Sequence, residues 1–153
     1  MKLNKVRIVN FLEQVISDYI WNIKFDKGKE CGEGVPAAVD EHNNIWINRN
    51  VFYTQSLLYQ KAILLHEAGH IVIGTLSSKT NTEYYAHLWA LKVAKDNGWK
   101  NIYQELETMI ISWFLCYKWN EDKGIQRPYI QASKKYLRKK KYEKKNIKKT
   151  TKV

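Results

Sequence analysis

Apolar positions recur at three- and four-residue steps from the start of the chain: Leu3, Val6, Val9, Leu12, Val15, Ile16, Tyr19 and Ile20. That period puts them on one stripe of an amphipathic helix. The pattern breaks at 27–34, where Gly28, Gly32 and Gly34 precede Val35-Pro36 and predict a loop. Two short extended runs follow, at 35–39 and 45–47, with Asp40-Glu41-His42-Asn43-Asn44 between them. Asp and Asn tolerate turn angles, so the segment reads as a β-hairpin. Helical periodicity returns at 54–73, with Thr54 or Ser56 as N-cap and Gly74 as the stop. A further helix is expected over 83–96, capped by Thr82 and ended by Asn97-Gly98, and another over 101–119. Past Asp122-Lys123-Gly124 and Arg127-Pro128 a short helical stretch grades into a Lys-rich end. The order predicts an α+β fold, mostly helical, with a small antiparallel hairpin ahead of the 54–73 helix. Residues 1–128 are expected to form the domain, and 129–153 a basic tail, partly helical and then disordered.

Composition narrows this picture. A chain of 153 residues with 44% hydrophobic and 13% aromatic residues has enough apolar surface for one packed domain. The formal charge of +11 is uneven, because 134–153 holds eleven Lys or Arg against one Glu and so leaves +1 for the rest. Attraction to phosphate is therefore an argument about the tail alone. Cys31 and Cys116 form no C-x-x-C pair and read as two thiols in a reducing compartment. The longest nearly apolar run, 109–117, falls far short of the roughly 20 residues a membrane span needs. The stretch 6–20 is interrupted by Asn10, Glu13, Gln14 and Asp18 and offers no export signal. A soluble, cytoplasmic protein without membrane partners is the expectation.

The chemistry concentrates in His66-Glu67-Ala68-Gly69-His70. Histidines four apart on a helix lie on one face, one turn apart, where both imidazoles reach a single Zn²⁺. Glu67 stands beside them as the general base for a water whose pKa the metal lowers to about 7. A pair of histidines and a glutamate inside an apolar helix would otherwise need partners for their buried polar groups. Catalytic zinc takes a third protein ligand, and the next helix offers Glu83 and His87, again four apart. Glu83 is preferred, since Ala86 and Ala90 share its face and, with Gly69, let the two helices approach closely. Glycine inside a helix costs about 1 kcal/mol relative to alanine, so Gly69 implies a packing reason. Tyr84, Tyr85 and His87 are candidates for orienting ligands or stabilising an oxyanion.

Three segments resemble the ImmA/IrrE metallopeptidases. They are Ala37-Ala38-Val39 with Asn44-Ile45-Trp46-Ile47-Asn48, the run Ile63-Leu64-Leu65-His66-Glu67-Ala68-Gly69-His70, and Glu83-Tyr84-Tyr85-Ala86-His87-Leu88-Trp89-Ala90. The last is similar to the family's E-x-x-A-x-x-F-A segment with Trp89 in place of Phe. Together they cover about 35–95. The resemblance implies a zincin-like fold, one zinc held by His66, His70 and Glu83, and hydrolysis of an intracellular protein. In some members, on phages or mobile elements, that substrate is a DNA-binding repressor. The chain departs from the family's Leu-Leu-Met-Pro continuation, having Leu91-Lys92-Val93-Ala94-Lys95 instead, and it shows no helix-turn-helix module. A substrate is expected to pair with an edge strand at 45–48.

Lys134, Lys135, Arg138, Lys139, Lys140 and Lys141 open the basic segment and are candidates for contact with nucleic acid or an acidic partner. The alternative to a peptidase is thus a non-catalytic nucleic-acid-binding or regulatory protein built on a zincin scaffold.

Overall fold

The computed structural model describes residues 2–32, 34–117 and 127–151, with side chains to 113 and from 127 to 146. The Asp122-Lys123-Gly124 turn and Trp119 lie outside the described residues, as does the side chain of Cys116. The fold is α+β, mostly helical, with a small three-stranded mixed sheet. In chain order it runs α1 (Lys5–Ile16), β1 (Asn22–Asp26), β2 (Ala37–Val39), β3 (Asn44–Asn48), α2 (Arg49–Phe52), α3 (Leu57–Ile73), α4 (Lys79–Asp96), α5 (Lys100–Tyr117) and α6 (Arg127–Thr151).

Helix α1 is capped by Asn4, whose side chain accepts from the Arg7 N–H at 2.9 Å. It buries Ile8, Phe11, Leu12 and Ile16. The apolar stripe stops there: Val6 is exposed, and Tyr19 and Ile20 (93% exposed) lie in the turn to the sheet. The hairpin is present, with Ala37 opposite Ile47 and Val39 opposite Ile45. Asp40 holds its turn, accepting from the N–H groups of His42 and Asn44, each at 2.9 Å, and from the Trp46 indole at 2.9 Å. Sequence reading overlooked β1, which pairs in parallel with β3 and makes the strand order β1-β3-β2. Its Asn-Ile-Lys-Phe-Asp alternation is the period-2 signal of a half-buried strand, spread over only five residues.

This third strand corrects one expectation. With β1 on one side and β2 on the other, β3 is the central strand, so 45–48 cannot offer an edge to a substrate. The edge nearer α3 is β2. Asn48 N donates to Pro36 O and Asp40 N to Asn44 O, which fixes 36/48 and 40/44 as hydrogen-bonded pairs. Antiparallel ladders alternate, so the backbone groups of Ala37 and Val39 face away from β3.

Ser56 caps α3, accepting from the Tyr59 N–H at 3.1 Å, and Gly74 at φ 73° ends it. The helix is buried almost all round from Ala62 to Gly69 and forms the centre of the core. Ser78 rather than Thr82 caps α4, one turn earlier than expected. Thr82 instead closes the entry turn: its hydroxyl donates to Ser78 O and accepts from the Leu76 N–H, both at 3.0 Å. Gly69 is where α3 and α4 touch. A Cβ built there would lie 2.3 Å from the carbonyl oxygen of Ala86.

The basic tail also needs correction. Helix α6 is continuous to Thr151, and its first turns belong to the body. Ile130, Ser133 and Tyr136, three apart, are buried against α4 and α5, together with Ala132. The Tyr136 hydroxyl donates to Glu107, which also pairs with Lys140 at 3.3 Å. Packing thus passes the expected boundary at 128, because the few apolar residues of a Lys-rich segment are spaced for one helix face. Among the described residues no helix is long and apolar enough to cross a membrane.

Candidate metal centre

Helical spacing brings His66 and His70 onto one face of α3, and the contact between Gly69 and Ala86 brings the N-terminal half of α4 against it. Glu83, one turn before Ala86, then points between the two imidazoles. Its Oε2 lies 3.0 Å from His66 Nε2 and 3.2 Å from His70 Nε2, and the two nitrogens are 3.2 Å apart. Zinc bonds of about 2.05 Å at tetrahedral angles place neighbouring ligand atoms about 3.3 Å apart. The donor triangle therefore matches one face of a zinc tetrahedron. Among the described residues His66, His70 and Glu83 are the group whose ligand atoms suit a metal ion.

The environment fixes which nitrogens bear protons. His87 Nε2 lies 2.6 Å from the Leu106 carbonyl, an acceptor only, so this nitrogen is the donor. Burial, aided by His66, pushes the pKa of His87 down to about 3, so the ring is neutral and its Nδ1 carries a lone pair. That Nδ1 is 2.9 Å from His66 Nδ1, which must donate. His66 Nε2 is left with its lone pair aimed at Glu83 and His70. Leu106, on α5, thus sets the tautomer of a ligand on α3 through His87 on α4. Both nitrogens of His87 are engaged, so it is neither the third ligand nor an oxyanion donor. Trp113 stacks edge-on against His66 and His87 at centroid distances of 5.6 and 5.0 Å and seals this layer.

Three acceptors facing one point repel unless a cation lies among them. Protons on the two imidazoles can stand in for that cation: burial opposes charge on Glu83, but hydrogen bonds from and charge on His66 and His70 then outweigh it and hold the carboxyl well below its usual range. For His70 burial disfavours the cation, yet Glu83 and Glu67 raise its pKa. Glu67 is the reverse case: burial lifts its carboxyl above the ordinary range, His66 and His70 pull it back, and Glu83 adds to the rise. A carboxyl raised in this way accepts a proton more readily than an ordinary surface carboxylate.

Glu67, His70 and Glu83 lie in a cleft of about 830 Å³ whose walls are β2 with its flanks and the 74–82 entry of α4. Tyr129, from α6, also lines it. Its hydroxyl donates to Glu83 Oε1 at 3.4 Å and its ring packs on Trp113 at 5.2 Å. No local pattern marks Tyr129, which is 46 residues from Glu83. Tyr84 and Tyr85, by contrast, turn to α6, where Lys135 Nζ sits 4.4 and 4.7 Å from their ring centroids, so neither reaches the cleft. Lys135 also donates to Asn81 at 3.2 Å. Arg138, Lys139 and Lys141 are exposed and Lys134 half-buried, and none of them lines the cleft. Cys31 is a free thiol at the cleft, bonded to Trp46 O at 3.3 Å. Burial, with Asp26 and Glu67 nearby, pushes its pKa up to about 12, so it stays protonated and inert.

Comparison with known proteins finds no family model that matches the chain, no similar curated protein and no similar solved structure.

Proposed function

We propose that the chain is a zinc-dependent endopeptidase of zincin type, acting on an extended segment of an intracellular protein. The observation that carries this is the convergence of His66, His70 and Glu83 donor atoms at 3.0–3.2 Å, with Glu67 beside them in an open cleft. The likeness of its motif segments to the ImmA/IrrE peptidases supports the same reading. Zinc, when bound, supplies a Lewis acid that polarises a carbonyl and brings water to a pKa of about 7. The chain's own residues do the rest. The outward backbone groups of Ala37 and Val39 pair with the substrate as an added strand and hold its scissile bond over the donor triangle. Glu67 takes the water's proton and later delivers it to the leaving amine. Tyr129, whose hydrogen bond to Glu83 is long at 3.4 Å, can release it and turn its hydroxyl to charge developing on the carbonyl oxygen. The relay from Leu106 through His87 keeps the His66 lone pair turned to the centre.

The test is metal analysis of the purified chain with cleavage of a quenched fluorescent peptide library of mixed sequence. About one zinc per chain is expected, and Glu67→Gln should keep the zinc while losing at least 100-fold in turnover. A chain that takes up no stoichiometric zinc, or a Glu67→Gln variant that cleaves at the wild-type rate, overturns the proposal.

A further inference from the structure

The half of α6 beyond Tyr136 has a composition that its packing does not explain. Residues 137–151 hold eight Lys or Arg against Glu143 alone, a balance of +7. Successive helical residues turn by about 100°, so the consecutive run Arg138-Lys139-Lys140-Lys141 places charge on every side of the helix. Repulsion is built in, since Lys140/Lys144 and Lys141/Lys145 are like charges at i,i+4, a destabilising arrangement. A surface face would need charge on one side only. Lys140 is turned to Glu107 on the body, and charge on the remaining sides suits a polyanion that flanks the helix.

We propose that this half of α6 binds duplex nucleic acid by lying in its major groove, with phosphates on both flanks. A helix 10–12 Å across suits a groove about 12 Å wide. Fifteen residues extend about 22 Å, alongside roughly 13 phosphates at one per 1.7 Å. The base of the arm is fixed to the body by Lys135 on Asn81 and by Tyr136 and Lys140 on Glu107, so binding orients the whole domain. Where α4 meets α6, Lys92, Lys95, Lys139 and Lys140 line a groove of about 400 Å³ together with Glu143, with Lys92 paired to Asp96 and Lys140 to Glu107, and Lys95 and Lys139 extend the positive surface towards the body. An anionic membrane is the poorer partner. Among the described side chains of this half the exposed apolar ones, Leu137 and Tyr142, are five residues apart, hence about 140° around the helix, and form no stripe.

Fluorescence anisotropy of the full chain with a labelled 24-base-pair duplex of mixed sequence, over 50–200 mM NaCl, tests this. Five phosphate contacts give a slope of log K against log salt of about −4.5, a weakening of about 500-fold across that range. In Arg138→Gln/Lys141→Gln/Lys144→Gln/Lys145→Gln, four exposed positions are neutral, and the slope should become shallower by about 3.6 with unchanged thermal unfolding. The proposal is overturned if the duplex fails to bind at 50 mM NaCl or if the fourfold variant keeps the wild-type slope. It is equally overturned if same-length single strands, polyglutamate or phosphatidylserine vesicles compete as well as duplex.

Discussion

Replacing Gly69 by alanine isolates the contact on which the metal centre rests. A Cβ at this position would lie 2.3 Å from Ala86 O and 2.9 Å from its carbonyl carbon, both backbone atoms that no rotamer change can move. Restoring ordinary contact, about 3.4 Å, requires α3 and α4 to separate by about 1 Å. Glu83 is one turn from Ala86 on the same rigid helix and moves with it. Zinc ligand distances hold to about 0.2 Å, so the shift is roughly five times what the site tolerates. Two effects on stability oppose each other: alanine gains about 1 kcal/mol of helix propensity, and overpacking costs about 1–3 kcal/mol. The metal-free protein should therefore change little. Zinc affinity should fall at least 10–100-fold, as it does when one supporting hydrogen bond of a ligand is lost. Competition with a chromophoric chelator measures this, and thermal scans with and without zinc show whether the zinc-dependent rise in Tm shrinks. A Gly69→Ala protein that is simply more stable and binds zinc within twofold of wild type would refute the close approach.

Three other substitutions probe separate layers of the site. His87→Ala should weaken zinc binding 10–100-fold by freeing the His66 tautomer, whereas His87→Asn, whose Oδ1 can still accept from His66 Nδ1, should recover most of it; equal affinities in both would dismiss the relay. Tyr129→Phe should retain zinc yet lose about 100-fold in kcat on any peptide the wild type cleaves, and an unaltered kcat would remove Tyr129 from the reaction. Asp40 makes the hairpin acid-sensitive: burial raises its pKa, but hydrogen bonds from Asn44, Trp46 and the turn N–H groups together outweigh this and depress it. A depressed carboxyl stabilises the fold above its unfolded pKa of about 3.9, and that contribution disappears as pH falls through the folded value. Asp40→Asn should thus be less stable than wild type at pH 7 and lose less stability between pH 4 and 2 in denaturant titrations followed by Trp fluorescence; parallel acid profiles would contradict the assignment.

What could be read from the sequence was whatever a single helix determines by itself. His66 and His70 share a face because 3.6 residues make a turn, with Glu67 about 100° round from His66, and their relation needs no tertiary knowledge. Glu83 required one tertiary fact, the close packing of α3 on α4, and Gly69 with Ala86 carried a visible trace of it. Beyond that the local signals stop. The spacing places Glu83 and His87 together on α4 and cannot say which one faces the ion. The choice is made by a backbone carbonyl on α5, and every residue has one. Tyr129 entered the cleft from a helix whose composition advertises only charge, with its anchoring residues Ile130, Ser133 and Tyr136 diluted among lysines.

The misplaced substrate edge has the same origin and a larger consequence. A hairpin read from turn chemistry leaves both its strands with a free side, so either one can serve as the template for an added chain. A five-residue strand pairing in parallel from before the loop removes that choice, occupying β3 and leaving β2 exposed. Parallel pairing needs a long connection, here 27–43 with β2 inside it, and no turn motif announces it. Yet this remote pairing decides which strand beside the cleft keeps an open edge, the one that the proposed function assigns to substrate. The antiparallel partner of β3 now forms the wall of the cleft that holds Glu67 and Tyr129. His66 and His70 come together by local helical period, but which sheet edge stays open follows from strand order, and only the assembled fold contains that information.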